Sequence, residues 1–229
     1  MVQFEVEKYL ALHGSENAYT SQLLEDFYFL VEHEHYHFAL NVYHFLFMTV
    51  VYQTVLKARE WRKQKFEDAT ILIHHRDLSR DKMLDTSQAF DFSKIPERSF
   101  MNFLKLFDAD NNLVQECKRL VDDRNERSHA NGNYFSNPIL FEELIGKYDE
   151  ILSRIHNFYK KYLLQVLEIY VENLDPSSSV TRDDLELDLI LSNKLNLLDL
   201  SCLKEICGSK RKIHRQIWQI LDNEYGLLE

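Results

Sequence analysis

The chain has 229 residues, 45% apolar and 28% charged, with a net charge of −10, which suits a globular protein with one sizeable core and room for a small appendage. Five glycines and three prolines against fifteen phenylalanines and twelve tyrosines leave too little turn chemistry for a many-stranded sandwich. The expected fold is all-α, a helical bundle of long antiparallel helices, and the acidic balance means that any RNA contact must come from local clusters of Lys and Arg.

From about Ser21 to Gln64 apolar residues recur at helical spacing without Gly or Pro, which predicts one very long helix or two in near succession. Within it, Phe38 to Leu56 carries no charge over 19 positions, close to the length that crosses a bilayer. Asn41, His44, Thr49, Gln53 and Thr54 interrupt that stretch, so a central helix buried by other helices is expected and no membrane partner. The start of the chain has no basic segment leading into an apolar one. The odd set Cys117, Cys202 and Cys207 lacks C-x-x-C spacing, and together these features read as a cytoplasmic chain with reduced thiols.

Residues 66–98 form an irregular excursion, and Phe100 to Phe107 a short helix. Asn112 and Gln115 then resemble a capping box for a helix whose apolar stripe, Leu113, Val114, Cys117, Leu120 and Val121, has Arg124 as its next position. Asn131-Gly132-Asn133 stops it, leaving His129 at or just past the last turn. A long helix starts at Asn137-Pro138, with Glu142 and Glu143 near its beginning and a stripe Leu144, Tyr148, Ile151, Ile155, Phe158, Tyr162, Val166 and Ile169. Asp175-Pro176-Ser177-Ser178-Ser179 reads as a linker, dividing a bundle over 1–175 from a small helical region over 176–229.

The segment Arg124-Asn125-Glu126-Arg127-Ser128-His129 is the strongest chemical signal. A guanidinium binds phosphate oxygens through paired charged hydrogen bonds, and an imidazole exchanges protons near neutrality, so together they can break a phosphodiester without metal. Five steps along a straight helix turn the two side chains about 140° apart and roughly 7.5 Å along the axis. Either the helix must end between them or a second copy must contribute.

This R-x(4)-H arrangement, with a polar residue straight after the arginine and long helices on either side over residues 20–172, resembles the catalytic motif of the HEPN superfamily. The resemblance implies a metal-independent endoribonuclease without cofactor, acting as a homodimer in a toxin or defence role, sometimes under an antitoxin or regulatory partner. In that chemistry the ribose 2′-hydroxyl attacks the phosphate. His129 relays a proton, Arg124 stabilises the phosphorane, and Asn125 orients the arginine or a phosphate oxygen. Lys118, Arg119 and Arg127 are the nearest candidates for RNA contacts. A further cluster, Lys57, Arg59, Arg62, Lys63 and Lys65 around Trp61, offers a second phosphate track or a solvated helix face.

Three other readings stand beside it. Arg124 pairs with Asp122, Asp123 or Glu126 and His129 only caps the helix, giving a non-catalytic HEPN-like module that binds nucleic acid or protein. His33-Glu34-His35-Tyr36-His37 contains H-E-x-x-H, which on a helix would set His33 and His37 one turn apart for zinc with Glu34 as base and Glu60 as a possible third ligand, a metal-dependent hydrolase. Finally, Leu203 to Arg215 resembles a helix-turn-helix with a basic second helix beginning at Lys210-Arg211-Lys212.

Overall fold

The computed structural model describes residues 4–12, 17–71, 80–86, 88–129, 134–174, 179–207 and 212–225, and among them no strand occurs; the fold is all-α. After α1 (Glu5–Leu12), the long apolar period resolves into two helices in near succession, α2 (Ala18–Glu32) and α3 (Tyr36–Trp61), followed by the short α4 (Lys63–Ile71). Asn17 starts α2 through a capping box with Thr20. The break between α2 and α3 falls at Glu34, whose φ of 59° lies in the left-handed region that side chains enter at a cost.

Helix α3 is the axis of the first unit. Leu46 to Tyr52 are buried without interruption, so for two turns no face of the helix meets solvent. It is long and apolar enough to span a bilayer, yet 72% of its most apolar window is buried inside the structure. The packing around it is largely aromatic: Phe4 and Phe27 meet edge-on at 4.8 Å, and Phe47 and Tyr148 at 5.2 Å.

The excursion contains α5 (Arg80–Asp85), a 3-10 turn over Ala89–Lys94 and the single-turn α6 (Glu97–Phe100). The short helix expected at Phe100–Phe107 is a 3-10 segment, Met101–Phe107. It closes an aromatic group in which Phe66 stacks on Phe103 at 5.1 Å and Phe100 meets Tyr52 at 4.9 Å.

Helix α7 (Asn111–Ser128) buries the whole predicted stripe. Its cap is Asp110 rather than Asn112: the Asp110 carboxylate accepts from the Leu113 N–H at 2.7 Å, and an anion at that end also suits the helix dipole. Asp110→Ala should therefore cost about 1 kcal/mol, read as a drop of a few degrees in thermal midpoint.

Helix α8 (Pro138–Glu172) starts where expected, with the Asn137 side chain accepting from Ile139 and Leu140. Its first turn carries no acidic residue, as Glu142 and Glu143 come one turn too late. The inward stripe is Leu144, Tyr148, Ile151 and Ile155 in the first half, then shifts to Tyr159, Leu163, Val166, Leu167 and Tyr170, leaving Ile169 60% exposed. A regular three-four alternation drifts round a straight helix, which moves the buried face.

The chain forms two compact units, Met1–His156 and Asn157–Glu229, so the division falls inside α8 rather than at the linker after residue 175. The second unit holds the end of α8, α9 (Arg182–Asp184) continued by a π-helical segment Leu185–Leu191, α10 (Leu197–Cys207) and α11 (Lys212–Tyr225). Thr181 caps α9 with Asp184. Asp199, wholly buried, accepts the Tyr159 hydroxyl and the Asn196 N–H.

Candidate active site

Arg124 follows Leu120 and Val121 on the buried side of α7, so its guanidinium is carried inward to the start of α6. There Nη2 donates to Glu97 Oε2, the two side chains being 19% and 18% exposed. The same oxygen accepts the Nε2–H of His44 at 3.0 Å. Because a carboxylate only accepts, this contact puts the His44 proton on Nε2 and leaves Nδ1 to accept the Tyr148 hydroxyl at 2.9 Å. A hydrogen-bonded wire thus runs from the buried Tyr148 on α8 and His44 on α3 through Glu97 on α6 to the partly exposed Arg124 on α7.

The charges in this wire are settled by burial and partners. Burial holds His44 neutral, below its ordinary range, against the pull of Glu97. Burial alone would raise Glu97, but the His44 hydrogen bond and the Arg124 guanidinium bring it below the usual glutamate range, so it stays ionised. Burial keeps Tyr148 protonated far above neutrality. Arg124 is therefore tied to a mostly buried carboxylate rather than left as a solvated surface charge.

Arg124 and Asn125 also line an open recess of about 350 Å³ with Lys94, Arg98 and Glu97. Arg98 is paired with Asp122 and Lys94 with Asp91, so Asp122, an expected partner of Arg124, is engaged elsewhere. The Nε atoms of Arg124 and Arg127 are buried and lack a hydrogen-bond acceptor. A buried guanidinium N–H without an acceptor is costly.

His129 is the residue at which α7 ends: Ser128 is the last helical position and His129 turns to extended backbone, φ −79° and ψ 147°, with its ring exposed. Ser128 Oγ donates to Asn41 Oδ1 at 3.1 Å, anchoring the helix end to α3. Next to that anchor, Tyr134 and Phe38, 56% and 54% exposed, lie 6.3 Å apart and both contact the buried His37 ring. Within one chain, Arg124 and His129 share no partner among the described residues: the first is tied to Glu97, while the second is exposed.

Of the expected RNA contacts, Arg119 is exposed, Lys118 donates to Asn102 at 2.8 Å and Arg127 is half-buried. The Lys57–Lys65 cluster is largely occupied by structure. Arg59 bonds Glu60 and the Thr86 carbonyl, Arg62 bonds the Leu106 carbonyl and Asp108, and Lys57 lies 5.8 Å over Trp61. Arg59 and Arg62 thus brace the protein's own backbone, while Lys63 and Lys65 are exposed.

The H-E-x-x-H segment does not lie on one helix, because it straddles the α2–α3 break at Glu34. His33 donates from Nδ1 to the Phe29 carbonyl at 2.8 Å and stacks on that ring, whereas His37 is buried among Phe38, Tyr134 and Phe135. The two imidazoles thus lack the one-turn relation that zinc requires. Among the described residues no group of three His, Cys, Asp or Glu is placed to hold a metal ion. Glu60, the third ligand considered, bonds Arg59. For the helix-turn-helix reading, the turn and Lys210 and Arg211 lie outside the described residues, and Lys204 on α10 pairs with Asp222 on α11.

Reasoning from the sequence missed Glu97 and gave His44 and Tyr148 no functional part. The signal was present: a histidine inside a charge-free buried helix needs hydrogen-bond partners on both ring nitrogens, and those partners mark what the helix packs against.

No family model, curated protein or solved structure matches this chain.

Proposed function

We propose that the chain is a metal-independent endoribonuclease of HEPN-like type, working as a homodimer on single-stranded RNA. The observation that carries this reading is Arg124: held by Glu97, bordering an open recess beside Asn125, with its Nε–H unpaired. A phosphodiester in that recess would take its charged hydrogen bonds from the guanidinium N–H groups that Glu97 does not use, and a cation held in place by Glu97 stabilises the charge of a phosphorane. His129, exposed one residue beyond the helix, supplies the mobile proton. Phe38 and Tyr134 offer rings on which unpaired bases stack.

Since Arg124 and His129 of one chain diverge, a second copy is assigned the task of bringing its own motif to the same phosphate. The Arg124–Glu97 ion pair favours a second reading, in which the wire only braces four helices and the chain is a non-catalytic module that binds nucleic acid or protein. Incubating the purified full chain with end-labelled single-stranded RNA in EDTA separates the two. Discrete cleavage is expected. Salt-dependent binding with no cleavage, in EDTA or in added metal, would establish the binding module instead.

A further inference from the structure

A second cavity lies in the first unit, away from the Arg124 recess, where α1, α2, the start of α3 and the first turns of α8 meet. Its volume is about 710 Å³, the size range of sites for small organic ligands. The rings of Phe4, Tyr28, Tyr36 and Phe141 form its walls, with Tyr36 and Phe141 5.0 Å apart. Four carboxylates, Glu5, Glu32, Glu142 and Asp149, line it as well, and no Lys, Arg or His is among its described lining residues. Aromatic faces and carboxylates attract the same class of ligand, a cation with an apolar stem, and repel anions.

Gly146 gives an independent indication that the cavity is kept open. It sits in the interior of α8 and lines the cavity, where glycine costs a helix about 1 kcal/mol relative to alanine. Close packing does not require it, because a β-carbon at Gly146 would meet no atom within 4 Å. A larger side chain there would instead occupy the space itself. The nearby tyrosine hydroxyls are already used, Tyr28 donating to Glu7 and Tyr43 to Asp149, which leaves Tyr28 to serve by its ring.

We infer that this cavity binds a small organic ammonium ion, its charged nitrogen among Glu5, Glu32, Glu142 and Asp149 and its carbon chain against the aromatic walls. The inference does not rest on the nuclease reading. Its test is calorimetric titration of the full chain with spermidine, and with 1,8-octanediol as an uncharged counterpart. Spermidine is expected to bind one to one and at least tenfold more tightly than the diol. The double variant Glu32→Gln/Glu142→Gln, altered only at exposed side chains, should lose at least tenfold. Gly146→Leu should abolish binding with an unchanged circular dichroism spectrum and a thermal midpoint no lower than that of the wild type. Equal affinity for spermidine and the diol, equal affinity in wild type and variants, or no spermidine binding at millimolar concentration would each overturn the assignment. Tighter capture of a lysine-rich peptide than of spermidine would also overturn it, in favour of a protein partner.

Discussion

Replacing His129 with alanine should slow cleavage of single-stranded RNA by about 10²- to 10⁴-fold, the usual worth of a positioned proton relay. The thermal midpoint should stay where it is. His129 is exposed and lies past the last helical residue of α7, so its ring supports no packing that the substitution would remove. A large loss of rate at constant stability is the pattern of a group that meets substrate. A matching loss of stability would instead make His129 part of the scaffold. Arg124→Lys gives the complementary result: a compact ammonium cannot hold Glu97 and a phosphate oxygen together as a planar guanidinium can, so the rate should fall with the charge retained.

His44→Ala is expected to have the largest effect on stability, roughly 3–5 kcal/mol, a fall in thermal midpoint on the order of 10 °C. It removes a fully buried ring and leaves the Tyr148 hydroxyl and one contact of Glu97 unsatisfied at once. The same wire sets a pH dependence. His44 is held below its ordinary value of 6.5, so below that pH the unfolded chain takes up a proton that the folded chain refuses, and stability declines as pH falls. Glu97 is also held low, so its contribution is present above its ordinary value of 4.5 and is lost on further acidification. Urea unfolding from pH 7.5 to 4 should show a continuous decline beginning near pH 6.5, with a slope of at most about 1.4 kcal/mol per pH unit for each group. A flat profile between pH 6.5 and 5 would mean that His44 is not held neutral.

Much of this architecture could be read from apolar spacing. The Leu113–Val121 stripe is buried as predicted, and because it is, Arg124 points inward. Asn137-Pro138 starts α8, and the charge-free segment becomes the central helix α3. What could not be read were pairings across the chain. Glu97 lies 27 positions from Arg124 and 53 from His44, and only packing brings the three together. The end of the first long helix was equally hidden, since Glu34 adopts a left-handed conformation that glycine or asparagine would normally advertise. Consequently the H-E-x-x-H pattern, sound as a string, lost its helical premise. The Lys57–Trp61–Lys65 cluster was legible only in part: long cationic side chains that look solvated in a sequence can turn back onto carbonyls and carboxylates, as Arg59 and Arg62 do.

The chemistry of the RNA ends left after cleavage by the full chain in EDTA offers the most direct measurement. Attack by the ribose 2′-hydroxyl, with Arg124 on the phosphate and His129 moving the proton, leaves 2′,3′-cyclic phosphate and 5′-hydroxyl termini, and these should vanish with His129→Ala. Termini carrying 5′-phosphate and 3′-hydroxyl, or fragments that His129→Ala produces at the wild-type rate, would contradict the assignment of Arg124 and His129 as the site of cleavage.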